Sequence, residues 1–324
     1  MSKSENLYAI ILASGEDHRL KSLTHAVSGE ETPKQFASIA GGGSLLQQTV
    51  VRYASLLPPE RMVVVVASAH EAVACTQLRE WPGIDIIARP AACGAGLDLL
   101  LPLGRVFSRA PDARVVVTPA DHYVPHPEAL VDAVLAASRA LNQAAVILAG
   151  AAGGHRKGNR AWIVPGRPLG GRILSVAGLV DRASPLQAAQ LAAAGALANA
   201  STIVARVEHL WYLAARQFPM QAEAVASLWA GKLTIASAVA TACLDMTTVE
   251  LYGSLLRGAS DLAVVPVHGS GWTEWTCAED VMDSLQEPGE LDLLLSRILA
   301  RQRASGRIEL RPRVPTVSRH ATAA

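Results

Sequence analysis

Short apolar runs recur along the first half of the chain without polar alternation: YAIILA (8–13), MVVVVA (62–67), IDIIA (84–88), ARVVVT (113–118) and AAVILAG (144–150). Continuous hydrophobicity rich in β-branched residues predicts strands buried on both faces of a parallel sheet. The segments between them follow a helical period. SLLQQTVVRYASLL (44–57) places Leu45, Leu46, Thr49, Val50, Tyr53 and Leu57 on one face, and GLDLLLPLGRVFSRA (96–110) and PEALVDAVLAASRALN (127–142) repeat the logic. Strand alternating with helix predicts βαβ units, hence an α/β fold on a mostly parallel sheet.

Beyond residue 150 the pattern loosens. A Gly- and Arg-rich stretch (153–172) holds one short strand, AWIV, and ILSVAGLVD (173–181) reads as a strand pair. PLQAAQLAAAGALANAS (185–201) begins helically and breaks at Gly195, STIVARV (201–207) reads as strand, and 208–260 read as several helices. DLAVVPV (261–267) returns to strand before a helical stretch over 278–305. Residues 306–324 carry no burial pattern and are expected to fray. No internal repeat or linker divides the chain, so 1–305 reads as a single domain with a helical insertion.

Composition narrows the functional class. At 324 residues, half hydrophobic and 18% charged, the chain can bury a large core. A formal charge of +1 argues against a nucleic-acid binder, which needs a strongly basic face, but leaves room for a small phosphorylated ligand. Cys75, Cys93, Cys243 and Cys277 are scattered, with no zinc-like spacing, as in a reduced cytoplasmic protein. The N-terminal apolar run is too short for a signal-peptide core, and no segment approaches the roughly 20 apolar residues of a membrane span. These features predict a soluble, cytoplasmic protein with no membrane partner, and the apolar lean leaves room for a homodimer interface.

Three segments could carry chemistry. SGEDHRLKSLT (14–24) follows the first strand, where a loop can wrap phosphates with its backbone N–H groups. Gly15 permits close approach, Arg19 can grip phosphate oxygens in two places, and Lys34, fixed by Pro33, adds a second cation. Taken alone, the same residues serve equally as a polar surface turn. In VVVTPADHYV (115–124), Asp121 follows a buried strand, the expected position for a magnesium ligand, unless it and His122 only cap a turn. In GSGWTEWTCAED (269–280), Glu274 lies between Trp272 and Trp275 after another strand; its plain alternative is an acid at the start of a helix, with the tryptophans in the core.

In order, IILASGEDHRLKSLT…TPKQF, SLLQQTVVR (44–52), PADH (119–122) and, more weakly, NRAWI (159–163), LVDRAS (179–184), GALANAS (195–201) and GWTEW (271–275) resemble the sugar-phosphate nucleotidyltransferases, in particular mannose-1-phosphate guanylyltransferases. The resemblance spans about residues 7–285. It implies a Rossmann-like, three-layer α/β/α nucleotidyltransferase fold of the glycosyltransferase-A-like kind, with a nucleotide-binding half over about 1–150, a sugar-binding half over about 151–285 and a C-terminal helix over about 286–305. It further implies that a sugar 1-phosphate attacks the α-phosphorus of an NTP, GTP by family default, and releases pyrophosphate with help from Mg²⁺.

Carried over by position, Arg19, Lys34 and Asp121 would be catalytic, and Asp121 and Glu274 would hold the metal. Ala13, Ser14, Gly15, Asp17, His18 and Gly94 would meet the nucleotide. Ala161, Asp181, Arg182 and Asn199 would meet the sugar phosphate. The chain departs from the family pattern at Ser14, Asp17 and His18 in the loop, at Cys93, Ala161 and Arg182, and at Glu274, which stands for aspartate. Arg19, Lys34 and Asp121 are intact. An aspartate beside a triphosphate costs several kcal/mol at an effective dielectric near 20, by estimate, unless it turns away or shares the metal. The alternative these departures leave open is a catalytically weak or inactive nucleotide-binding relative acting as a sensor or partner subunit.

Overall fold

A computed structural model describes residues 6–15, 19–90, 96–153, 161–242, 256, 261–285 and 289–304. The apolar runs become β1 (Leu7–Leu12), β2 (Met62–Ala67), β3 (Asp85–Arg89), β4 (Arg114–Pro119) and β6 (Val146–Ala151). Each lies within about two residues of its expected start. β2, β4 and β6 are almost wholly buried, which is why their sequences show no alternation. The second half adds β7 (Trp162–Gly170), β8 (Ile173–Val180), β9 (Leu197–Arg206) and β10 (Leu262–Val267).

These strands form one nine-stranded sheet in the order β3-β2-β1-β4-β9-β6-β10-β8-β7, and only β8 and β9 run against the rest. The sheet is therefore mixed and mostly parallel. ILSVAGLVD is one strand rather than a pair: β8 finds its partner in β7, much longer than the AWIV core suggested. Prolines and glycines in IVPGRPLGG hide that strand from a reading of local propensity, and they appear as register shifts in the β7–β8 ladder.

Helices cover both faces. On one side α2 (Leu45–Ala54), α3 (Glu71–Gln77), α5 (Pro127–Arg139) and α6 (Pro185–Ala193) pack on the sheet around Leu46, Val50, Tyr53, Leu130 and Val134. On the other, α4 (Gly96–Arg109), α7 (Val207–Gln217) and α8 (Pro219–Trp229) pack around Leu100, Leu103, Trp211 and Val225. α9 (Ile235–Ala242) continues this helical insertion between β9 and β10. Gly104 lets α4 approach closely: a Cβ there would lie 2.6 Å from Val225 and 3.0 Å from Trp211. None of the described helices is long and apolar enough to cross a membrane.

α2 follows the expected face: Leu45, Leu46, Thr49, Val50 and Tyr53 are buried, and Leu57 beyond the helix is buried too. Ser44 and Gln47 close its first turn with a reciprocal capping box. Gly195, left-handed at φ +82°, separates α6 from β9 as its sequence position suggests.

Around the sheet's carboxyl edge lie elements too short to announce themselves. The stretch read as a loop over 14–24 becomes helical from Lys21, as α1 (Lys21–Ser28), and Gly29 closes it at φ +83°. β5 (His122–Tyr123) pairs with β11 (Thr273–Glu274) in a two-stranded ribbon. α10 (Ala278–Ser284) and α11 (Glu290–Ala304) complete the described chain.

Candidate active site

β1 and β4 are neighbouring parallel strands, with Leu12 paired to Pro119, so the loops that follow them share one edge. Ligands of open α/β sheets bind at this edge. After β1 the backbone continues as Ala13, Ser14 and Gly15; the first two are buried and Gly15 is exposed. Their path is fixed from outside. Pro33 leads into a short 3₁₀ turn (Lys34–Phe36) whose three side chains are buried, and each has a separate task. Gln35 Nε2 donates to Ala13 O at 2.8 Å and to Gly15 O at 2.7 Å, pinning the loop. Phe36 anchors the turn in the core beside His70, ring centroids 5.4 Å apart.

Lys34 is 2% exposed, yet it carries a charge. Its Nζ donates to the carbonyl of Trp275 at 2.8 Å and pairs with Asp121 Oδ2 at 3.0 Å. A buried ammonium survives only where such partners repay its lost hydration. The Asp121 side chain keeps 27% of its surface exposed, so the pair forms a charged floor that still reaches solvent.

The β5–β11 ribbon sets the other wall, with Glu274 in register with His122 and Thr273 with Tyr123. Trp272 Nε1 donates to His122 Nδ1 at 3.1 Å, and the two rings meet edge to face. That bond makes Nδ1 the acceptor, so a neutral His122 carries its proton on Nε2, the atom 3.8 Å from Asp121 Oδ1. The tryptophans flanking Glu274 thus do site work: one orients His122, and the backbone of the other holds Lys34.

Burial alone pushes the Asp121 carboxyl upward, but Lys34 and then His122 outweigh it and hold the group below its ordinary value of 3.8. With the folded value below the unfolded one, this carboxylate's contribution to stability is full above about pH 3.8 and disappears as pH falls through the folded value. Asp121→Asn is therefore expected to cost stability at neutral pH. In urea titrations its deficit against the parent should shrink below pH 3.8, and a constant deficit would remove Asp121 as the titrating partner.

A second group of predicted residues sits along the same edge. β9 enters the sheet where β4 and β6 leave it, with Val117 and Leu148 both opposite Ile203 and Gly150 opposite Asn199. The Asn199 backbone N–H donates to Ala161 O at 2.9 Å, and its side chain accepts from Ser201 N at 2.9 Å. Trp162 pairs with both Val180 and Ala198, so Ala161, Asp181 and Asn199 occupy neighbouring register positions. Asp181 and Arg182 are exposed just beyond β8, and Arg182 adopts a left-handed φ of +52°. Arg19 is exposed ahead of α1. Asp17, His18, Cys93 and Gly94 lie outside the described residues. The buried ion pair of Arg89, the last residue of β3, with Asp98 in the first turn of α4 brackets the segment that contains Gly94.

Sequence reasoning missed Gln35 as a loop clamp, the Trp275 carbonyl and the Trp272–His122 bond. The signal for Gln35 was present: a glutamine between a lysine and a phenylalanine in a buried turn must spend its amide on backbone groups.

No protein-family model matches the chain. Among curated proteins it is 28% identical over 148 residues to mannose-1-phosphate guanylyltransferase 2 of Escherichia coli O157:H7, covering 44% of this chain and 30% of that protein. It is 29% identical over 177 residues to mannose-1-phosphate guanylyltransferase RfbM of Salmonella typhimurium, covering 53% and 36% respectively. The matched region thus spans about a third of the length of these relatives. Its fold is similar to the crystal structure of a mannose-1-phosphate geranyltransferase from Thermus thermophilus, with a TM-score of 0.74, 24% identity, and 87% of this chain and 80% of that one covered. With a β1 loop clamped by its PKQF turn and a lysine–aspartate pair at the foot of β4, the chain is similar over the matched region to mannose-1-phosphate guanylyltransferases, and its fold is similar to that of a mannose-1-phosphate geranyltransferase.

Proposed function

We propose that the chain joins a hexose 1-phosphate to a nucleoside triphosphate, with GTP and mannose 1-phosphate as the preferred pair. An oxygen of the sugar phosphate attacks the α-phosphorus, the bond to the β-phosphate oxygen breaks, and pyrophosphate leaves. The observation that carries this reading is the buried Lys34, held by Asp121 and Trp275 O directly beside the clamped loop. Phosphoryl-group chemistry of this kind needs placed charge more than covalent help.

In this reading the backbone of Ala13 to Gly15, with Asp17, His18 and Gly94, meets the nucleotide. Arg19 and Lys34 take up the charge that develops on the departing pyrophosphate. Ala161, Asp181, Arg182 and Asn199 orient the sugar phosphate so that its oxygen stands in line with the bond to be broken.

Asp121 and Glu274 supply hard oxygen donors from a strand-end loop and the adjacent ribbon, a set that suits Mg²⁺. No three His, Cys, Asp or Glu gather as a metal site among the described residues, so an ion there would complete its shell with water and phosphate oxygens. When bound, the ion would polarise the α-phosphate. Lys34, and after it His122, hold the Asp121 carboxyl below its ordinary value, which favours the ionised form that such an ion would need.

Pyrophosphate release with a panel of NTPs and hexose 1-phosphates tests the proposal. Turnover is expected with GTP and mannose 1-phosphate, and Asp121→Ala should abolish it. If no pair turns over while GTP or GDP-mannose still binds, the chain is a nucleotide-binding relative instead, the reading that Asp17 and Glu274 favour.

A further inference from the structure

A cavity of about 500 Å³ lies behind the β5–β11 ribbon, between α2 and the start of α5. Adjacent residues of a strand face opposite ways. While His122 turns toward Trp272, Tyr123 lines this other pocket. Its floor holds Arg52, the one buried residue of α2 that the apolar face did not forecast.

Arg52 is 4% exposed, its Nε has no hydrogen-bond partner, and no carboxylate pairs with it among the described residues. Burial pulls its pKa below the ordinary value, and the adjacent Tyr53 hydroxyl only partly opposes this. A guanidinium in this state is short of an anion. The N-terminus of α5 opens onto the same space. Its first residue, Pro127, lines the pocket, and its N-cap His126 makes no side-chain capping bond, so N–H groups of the first turn lack a side-chain acceptor. Such a terminus favours phosphate.

Glu290, at the start of α11, also lines the cavity without pairing with Arg52. Its Oε1 accepts from the Tyr123 hydroxyl at 2.9 Å, whereas its buried Oε2 has no partner. That oxygen asks for a donor. One ligand class answers both demands: a phosphate for Arg52 and α5, with hydroxyl groups nearby for Glu290. The cavity is of ordinary size for a small metabolite.

We propose that this pocket is a sugar-phosphate binding site separate from the candidate active site, with the phosphate on Arg52 and the α5 N-terminus and a sugar hydroxyl donating to Glu290. It does not rest on nucleotidyl transfer, and a ligand can occupy it whether or not the chain turns over.

Equilibrium dialysis of the full chain with radiolabelled glucose 6-phosphate tests it. This probe carries no anomeric phosphate and cannot serve as the acceptor in the reaction proposed above. Saturable binding of one molecule per chain is expected, at least tenfold tighter than inorganic phosphate measured by competition. Arg52→Gln should weaken it tenfold or more. Val51→Glu should do the same by placing a carboxylate at the rim, and because Val51 is 57% exposed this change leaves the core intact. Arg182→Ala, an exposed change in the candidate active site, should have no effect. Absence of saturable binding, binding insensitive to both pocket variants, binding lost in Arg182→Ala, or inorganic phosphate binding equally well would each overturn the proposal.

Discussion

Replacing Lys34 with methionine is expected to lower pyrophosphate release by two to three orders of magnitude while leaving most of the fold in place. Methionine keeps the length and apolar stem of the side chain and removes only the ammonium. Loss of one preorganised charge or donor at a reacting centre typically costs about 10²–10³ in kcat, or about 3–4 kcal/mol of the barrier. The same change touches stability, because Trp275 O and Asp121 both lose their cation. Breaking a fully buried pair costs about 3–5 kcal/mol. Here the Asp121 side chain keeps 27% exposure and can be rehydrated, so a loss of about 2 kcal/mol in urea unfolding is expected. A variant that unfolds earlier yet retains parental turnover would show Lys34 to be a structural ion, and would remove the central observation behind nucleotidyl transfer.

Gln35→Leu should produce the second large effect, and a different kinetic pattern. One amide serves two carbonyls, Ala13 O and Gly15 O, and leucine of similar size serves neither. An unsatisfied buried acceptor costs about 1–3 kcal/mol, so the loop is expected to relax outward to find water. Gln35 touches no reacting atom in this scheme; it positions the backbone that would. The KM for the nucleotide is therefore expected to rise about tenfold or more, with kcat less affected. Gln35→Glu should be worse than leucine, because it sets carboxylate oxygens against the same carbonyls. Equal falls in kcat for both variants with KM unchanged would assign the residue to the chemical step rather than to the loop.

The parts of the fold that were legible in the sequence are those whose physics is local. Val-rich strands buried on both faces announce β2 and β4, and the Leu and Val spacing announces α2. β7 was hidden because its prolines and glycines contradict its conformation, and only the long ladder with β8 holds it. β5 and β11 were hidden because a two-residue ribbon has no periodicity of its own; each exists through the other. The candidate site divides the same way. Lys34 and Asp121, which the structure pairs, stand out in the motif order because the charge each brings resides in the side chain itself. The roles of Gln35 and Trp275 depend on which backbone carbonyl lies within 3 Å, and that is decided by contacts 20 and 241 residues apart in sequence. Arg52 stayed hidden for the opposite reason, because an arginine at a helix end reads as solvated surface until the packing of α2 against α5 encloses it.

The placement of β9 also bears on how the molecule is made. β9 is the only strand joining β4 to β6 in the sheet, yet it spans residues 197–206 and arrives after both in the chain. A growing polypeptide that has delivered β1 to β4 presents the bare edge of β4, a central and mostly buried strand, until some ninety further residues have emerged. At about 5–20 residues per second that exposure lasts several seconds, long enough for an unpaired edge to find another chain. The burden of keeping nascent copies apart therefore falls on this interval of synthesis, and truncations ending before residue 197 should aggregate where the full chain stays dispersed.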